Sequence, residues 1–168
     1  MANTKASAQS APPAGQVLIN IIRPSGFAGS EDMPIFDATA KKMIGNLRGE
    51  ERMQYICPPG KRLFIGWGEH KSGVDATELK ADKIYDLICD SGFGWWRASV
   101  SLRPIPQPDE RRSKLPEWEK ETSLMLPANN SGAAEWAAKK LADVEKVAQE
   151  WATDPTSRVM QLKPEDHR

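Results

Sequence analysis

The chain has 168 residues, enough for one ordinary domain with extensions. Its 23 Lys and Arg side chains balance 23 Asp and Glu, so no net field draws it to nucleic acid or to an anionic membrane. No apolar run approaches the roughly 18 residues needed to span a bilayer. With 13 prolines and 12 glycines the chain is rich in turns, which favours an all-β core over a helical bundle.

Residues 1–15 are small, polar and punctuated by Pro12 and Pro13. Such a segment buries too little surface to offset the entropy of ordering, so a disordered tether is expected. It contains no apolar h-region of a signal peptide. Tethers of this composition follow the lipid-bearing cysteine of bacterial lipoproteins. That would put the protein in the periplasm or at the outer membrane, with a lipid anchor in its precursor. A native start at Met1 would instead leave it cytoplasmic.

Residues 16–106 carry short apolar runs divided by turn signals, the pattern of a β-domain. Val17 to Ile22 is rich in β-branched residues and ends at Arg23-Pro24-Ser25-Gly26. Met33 to Asp37 and Ala40 to Leu47 give the next strands. Arg52 to Cys57 puts Met53, Tyr55 and Cys57 on one face. Pro58-Pro59-Gly60 then predicts a tight hairpin, with Gly60 in the left-handed region and Arg62 to Trp67 as partner strand. Gly68 to Ala76 reads as a polar loop. Leu79 to Cys89 forms a strand with Tyr85, Leu87 and Cys89 on one face, and Asp86 and Asp90 on a solvated one. From Trp95 to Arg103 the alternation is sustained: Trp96, Ala98, Val100 and Leu102 face in, and Trp95 and Arg97 face out.

Residues 107–130 form a proline-rich linker with room for a short helix at Leu115 to Leu126. Residues 131–153 form an amphipathic helix, capped at Asn130 or Ser131 and stopped at Asp154-Pro155. Trp136, Ala137, Leu141, Val144, Val147, Ala148 and Trp151 fall in an arc of about 140°. That stripe must dock either on the β-domain of its own chain or on another protein. Residues 154–168 read as a polar, frayed tail.

The motifs of common chemistries are missing: no G-x-S-x-G elbow, no phosphate loop, no H-E-x-x-H. His70 sits in a polar loop and His167 is penultimate; neither is placed like a general base. Gly26-Phe27-Ala28-Gly29-Ser30 lacks the following helix start that a phosphate cradle needs. Asp86 and Asp90 lie about 13 Å apart by strand rise, too far for a glycosidase pair. Cys57 and Cys89 match no metal spacing, and their pairing stays open. Trp67, Trp95, Arg97, Trp136 and Trp151 are the candidate ligand or partner contacts: exposed aromatics beside an arginine can stack on a sugar or anchor a protein.

Four segments together resemble a known family. They are Ile22-Arg23-Pro24-Ser25-Gly26-Phe27-Ala28-Gly29-Ser30; Phe36-Asp37 with Ile44-Gly45-Asn46-Leu47; Tyr55-Ile56-Cys57-Pro58-Pro59-Gly60-Lys61; and Leu79-Lys80-Ala81-Asp82-Lys83-Ile84-Tyr85. Their order and spacing resemble the bacterial "domain of unknown function 2846" β-sandwich proteins over Gln16 to Pro106. The resemblance implies a compact antiparallel sandwich in the cell envelope, with no known catalytic activity and no functional residues to carry over. It does not extend over Asp109 to Arg168.

The expected fold is therefore mainly β: an antiparallel sandwich of about seven strands with a C-terminal helical extension. The expected function is a non-catalytic, envelope-associated binding or structural module that needs no cofactor or metal. Two alternatives are a subunit of a larger assembly docked through the C-terminal helix, and a carboxylate-based enzyme acting on glycans.

Overall fold

A computed structural model of the chain describes residues 7–24, 32–91, 100–125, 131–154 and 159–168. In chain order the elements are β1 (Val17–Arg23), β2 (Met33–Asp37), β3 (Lys42–Leu47), β4 (Glu51–Cys57), β5 (Gly60–Trp67), β6 (Lys71–Leu79), β7 (Ile84–Ser91), β8 (Val100–Pro104), a 3-10 turn (Glu110–Lys114), α1 (Leu115–Glu121), β9 (Ser123–Leu124), α2 (Ser131–Thr153) and β10 (Val159–Leu162). The protein is mainly β, built on two five-stranded sheets. The first has the order β8-β7-β1-β4-β9, the second β10-β6-β5-β2-β3.

The sheets are mixed, which corrects the antiparallel expectation. β1 pairs parallel to β7, β4 to β9 and β6 to β10. Hairpin turns leave local signatures, whereas parallel neighbours are joined by long crossovers and leave none. The strands also number ten among the described residues, against about seven expected.

Period-two alternation builds the core. Ile19 and Ile21 of β1, Met53 and Tyr55 of β4 and Leu87 of β7 meet Ile35, Phe64 and Val74 of the second sheet in one buried cluster. Each fully buried Leu, Ile or Phe contributes roughly 1.5–3 kcal/mol. Ser72 of β6 bridges the layers, its hydroxyl accepting from the Leu102 N–H of β8 at 2.8 Å.

Three further expectations change. Pro58-Pro59-Gly60 is not a hairpin: β4 lies in the first sheet and β5 in the second, so the segment is a corner between layers. Gly60 does take a positive φ of 113°. The supposed loop at Gly68 to Ala76 is a short bend followed by β6, with Ser72, Gly73, Val74 and Ala76 buried. Its small residues mark close approach, not mobility: a Cβ on Gly73 would lie 2.7 Å from Trp151 Cζ3. The supposed polar tail carries β10, whose Leu162 joins the core.

Both outer faces are covered. On the first sheet Leu115 and Trp118 of α1 pack against Ile22, Ile88 and Ile105. On the second, Ala137, Leu141, Val144, Val147 and Trp151 of α2 pack against Phe36, Ile65 and Trp67. The apolar arc of α2 thus docks on its own β-domain. The layers run α1, first sheet, second sheet, α2. No helix among the described residues is long and apolar enough to cross a membrane.

Candidate functional site

Three of the five expected contact residues meet at the α2 interface. The Phe36 ring lies 6.3 Å from Trp67, edge-on, and 6.1 Å from Trp136. Lys71 Nζ stands 4.5 Å over the Trp67 ring. Trp151 covers Gly73, and Trp136 keeps 37% of its surface exposed. These tryptophans serve chiefly to join α2 to the second sheet. Trp95 and Arg97, with Trp96, lie outside the described residues, as does Gly26 to Ser30.

The polar constellation that the structure does assemble is on the outer face of the first sheet. Register sets it up. Asn20 of β1 is opposite Gln54 of β4 and opposite Asp86 of β7, so the three form one row across three strands. The rows on either side are mostly apolar: Leu18 with Ile56 and Ile84, and Ile22 with Arg52 and Ile88.

Asp86 is fully buried, not solvated as expected. Alternation correctly turned it away from the core, but α1 and the segment after β10 cover that face. Arg168 grips its carboxylate with two parallel bonds, Nη2 to Oδ1 at 2.7 Å and Nε to Oδ2 at 2.9 Å. Arg112 Nη1 stands 3.9 Å from Oδ2. Arg168 also pairs with Glu119 of α1. The bond to Asp86, and secondarily that to Glu119, raises the Arg168 pKa above its ordinary value. Asp90 keeps partial exposure and faces Arg103 at 3.5 Å and Arg111 at 3.6 Å.

A directed chain of hydrogen bonds leaves Asp86. An ionised carboxylate only accepts, so it fixes the Asn20 amide: Nδ2 donates to Asp86 Oδ1 at 3.3 Å. Asn20 Oδ1 must then accept, and it does so from Gln54 Nε2 at 3.0 Å. Gln54 is left with one N–H and its carbonyl oxygen. Both engage the backbone of Gln9: Gln9 N–H donates to Gln54 Oε1 at 2.8 Å, and Gln54 Nε2 donates to the Gln9 carbonyl at 2.9 Å. The segment read as a disordered tether therefore lies, at Ala8 to Ser10, along a groove of about 280 Å³. Asn20, Arg52, Gln54, Glu119 and Arg168 form the groove's polar lining. Arg52 is steadied by donation from Nε to the Glu119 carbonyl at 3.2 Å.

A second polar group closes one end of the core. Asp37 accepts from Tyr55 Oη at 2.7 Å and from Arg62 Nη1 at 2.5 Å. Burial, then the bond to Asp37, holds the Tyr55 hydroxyl far above its ordinary range. Burial also pushes the Cys57 thiol up to about 11 and the Cys89 thiol to about 12, so neither is a thiolate near neutral pH. His167 stacks edge-on to Tyr85 at 6.1 Å, and His70 is half-buried in the bend before β6. No three His, Cys, Asp or Glu side chains gather as metal ligands among the described residues.

Sequence reasoning missed Asn20, Arg52, Gln54, Glu119 and Arg168 as a site. One signal was available: Asn20 interrupts the run Val17-Leu18-Ile19-Asn20-Ile21-Ile22, and an amide inside such a strand needs fixed partners. No family model matches the chain, and neither a curated protein nor a solved structure matches it.

Proposed function

We propose that the protein is a non-catalytic binding module and that the groove on the outer face of the first sheet is its ligand site. The carrying observation is the two-point hydrogen bonding between the Gln54 amide and the Gln9 backbone. A primary amide held in one orientation presents an acceptor and a donor at peptide spacing. It can therefore pair with the main chain of an extended segment whatever its side chains. Pre-orientation through Asn20 and Asp86 lowers the ordering cost of that contact.

The resemblance to envelope sandwich proteins supports an envelope location; the groove itself is indifferent to compartment. Assembly through α2 has less support, because the apolar arc of that helix is occupied by Phe36, Ile65 and Trp67.

Panning a random peptide library against the full chain tests the proposal. Selected peptides should bind the native protein and lose binding to Gln54→Ala. Peptides that bind Gln54→Ala equally well would move the site elsewhere.

A further inference from the structure

We infer that the groove takes an extended peptide segment carrying an acidic side chain, and that the chain's own residues 8–10, which line it and engage its Gln54, act as a displaceable strap. The inference rests on the binding proposal above and adds to it the ligand's charge and the competition from within.

Two observations carry it. The first is how little holds the strap. Gln9 and Ser10 are exposed, and Ala8 and Ala11 are too small to anchor anything. The contacts that seat Gln9 are the two hydrogen bonds to Gln54, in a solvent-exposed setting. Bonds of this kind contribute only about 0.5–1.5 kcal/mol each. The next tie along the chain is Gly15, whose N–H donates to Asp82 Oδ1 at 2.7 Å. Residues 8–11 can thus lift while Gly15 and the half-buried Pro12 stay in place.

The second observation is charge. Among the side chains that line the groove, Arg52 and Arg168 are cations and Glu119 is an anion, one cation more than anions. The surplus is located. Arg112 and Arg168 are spent on Asp86, Glu119 and backbone carbonyls. Arg52 is tied only through Nε, and its two Nη nitrogens have no partner among the described residues. Arg52 lines the same groove as Ala8, Gln9 and Ser10. The strap offers it no carboxylate. A segment with Asp or Glu beside the peptide unit that Gln54 reads would add a charge-assisted bond the strap cannot make.

The probes are fluorescein-labelled heptapeptides with the sequence of residues 6–12, either unchanged or carrying Ala8→Glu, Gln9→Glu or Ser10→Glu, with Lys at the same positions as controls. Fluorescence anisotropy with the full chain should show at least one glutamate peptide binding about fivefold or more tighter than the unchanged one. That gain should vanish in Arg52→Gln and shrink as salt rises. Gln9→Pro in the protein removes the strap's N–H donor from an exposed site, and should tighten every peptide that binds.

Loss of all binding in Gln54→Ala supports the site. If the unchanged peptide depends on Gln54 but no glutamate peptide gains, the acidic ligand is wrong while the binding module survives. Should all peptides ignore Gln54→Ala, both fall. Sedimentation that finds a dimer broken by Gln9→Pro would assign the groove to a second copy's strap and overturn the acidic partner.

Discussion

Arg168 closes on Asp86 through two parallel hydrogen bonds, joining residues 82 apart in sequence across the outer face of the first sheet. The Asp86 side chain is 1% exposed, and the pair anchors both the end of the chain and the hydrogen-bond relay through Asn20 to Gln54. Removing one member of a buried pair strands the other. Asp86→Ala should therefore lower stability by about 3–5 kcal/mol in urea denaturation. Arg168→Ala should cost less, because Arg112 stays near the carboxylate. Equal costs for the two changes would mean that Asp86 is not the buried member on which the pair depends.

The two cysteines do not form a disulfide. Cys57 is opposite Val17 and Ile88 opposite Ile22, so Cys57 and Cys89 lie about 16 Å or more apart along β1, beyond the roughly 7 Å limit for bridged Cα atoms. Both thiols should resist Ellman's reagent in the native protein and react in denaturant. Their raised pKa values also set an alkaline limit. The folded state holds each proton to about 11 at Cys57 and about 12 at Cys89, against an ordinary value of 9.0. Above pH 9 the unfolded chain binds fewer protons than the native one, so stability falls as pH rises. It is fully present below pH 9 and declines through pH 9–11 for Cys57 and pH 9–12 for Cys89, by up to about 1.4 kcal/mol per pH unit for each thiol. Cys57→Ala should flatten part of that slope in urea titrations taken between pH 8 and 11. An unchanged slope would place the proton release elsewhere.

Strands were legible in the sequence where one face is apolar and the other polar. Met53, Tyr55 and Cys57 share the inner face of β4 as their spacing requires. β6 was not legible, because Ser72 and Gly73 are small to admit Leu102 and Trp151, neighbours distant in sequence. The candidate site hid for the same reason. Asn20 interrupts an apolar run and Gln54 and Asp86 lie on the outward positions of alternating strands, but only register puts the three in a row. Arg168 belongs to a stretch whose composition predicts fraying. It is held instead by Tyr85 donating to the Pro164 carbonyl and by Asp166 accepting from the N–H groups of Lys163 and Gln107. Composition registers buried area, whereas these ties are polar and long-range.

Gly60 has φ of +113°, and nothing lies within 4 Å of the position a Cβ would take. Any penalty for a side chain there is therefore backbone strain alone, without a clash. Gly60→Ala should cost about 1 kcal/mol or somewhat more, seen as a lower urea midpoint with an unchanged slope. Because the segment is a corner between sheets, the loss should not alter the pairing of β5 with β6, and amide exchange in those strands should keep its pattern. A neutral substitution would mean that residue 60 relaxes to a negative φ.

The docking of α2 makes the most specific demand. Gly73 lies beneath Trp151, and a Cβ there would meet Cζ3 at 2.7 Å and Val159 Cγ2 at 3.4 Å. The indole packs over Gly73 in the cluster with Phe36 and Ile65, so a methyl group at residue 73 presses on the contact that seats the helix. Trp151→Ala removes the ring and should cost about 3 kcal/mol or more. Gly73→Ala should cost about 1–3 kcal/mol through overpacking. Combined, the two changes should cost less than their sum, because the methyl group then enters the space the ring has left. Urea denaturation of the wild type, both single variants and the double variant measures that coupling. Strict additivity would mean that Trp151 and Gly73 do not touch, and that α2 covers the second sheet in a different register.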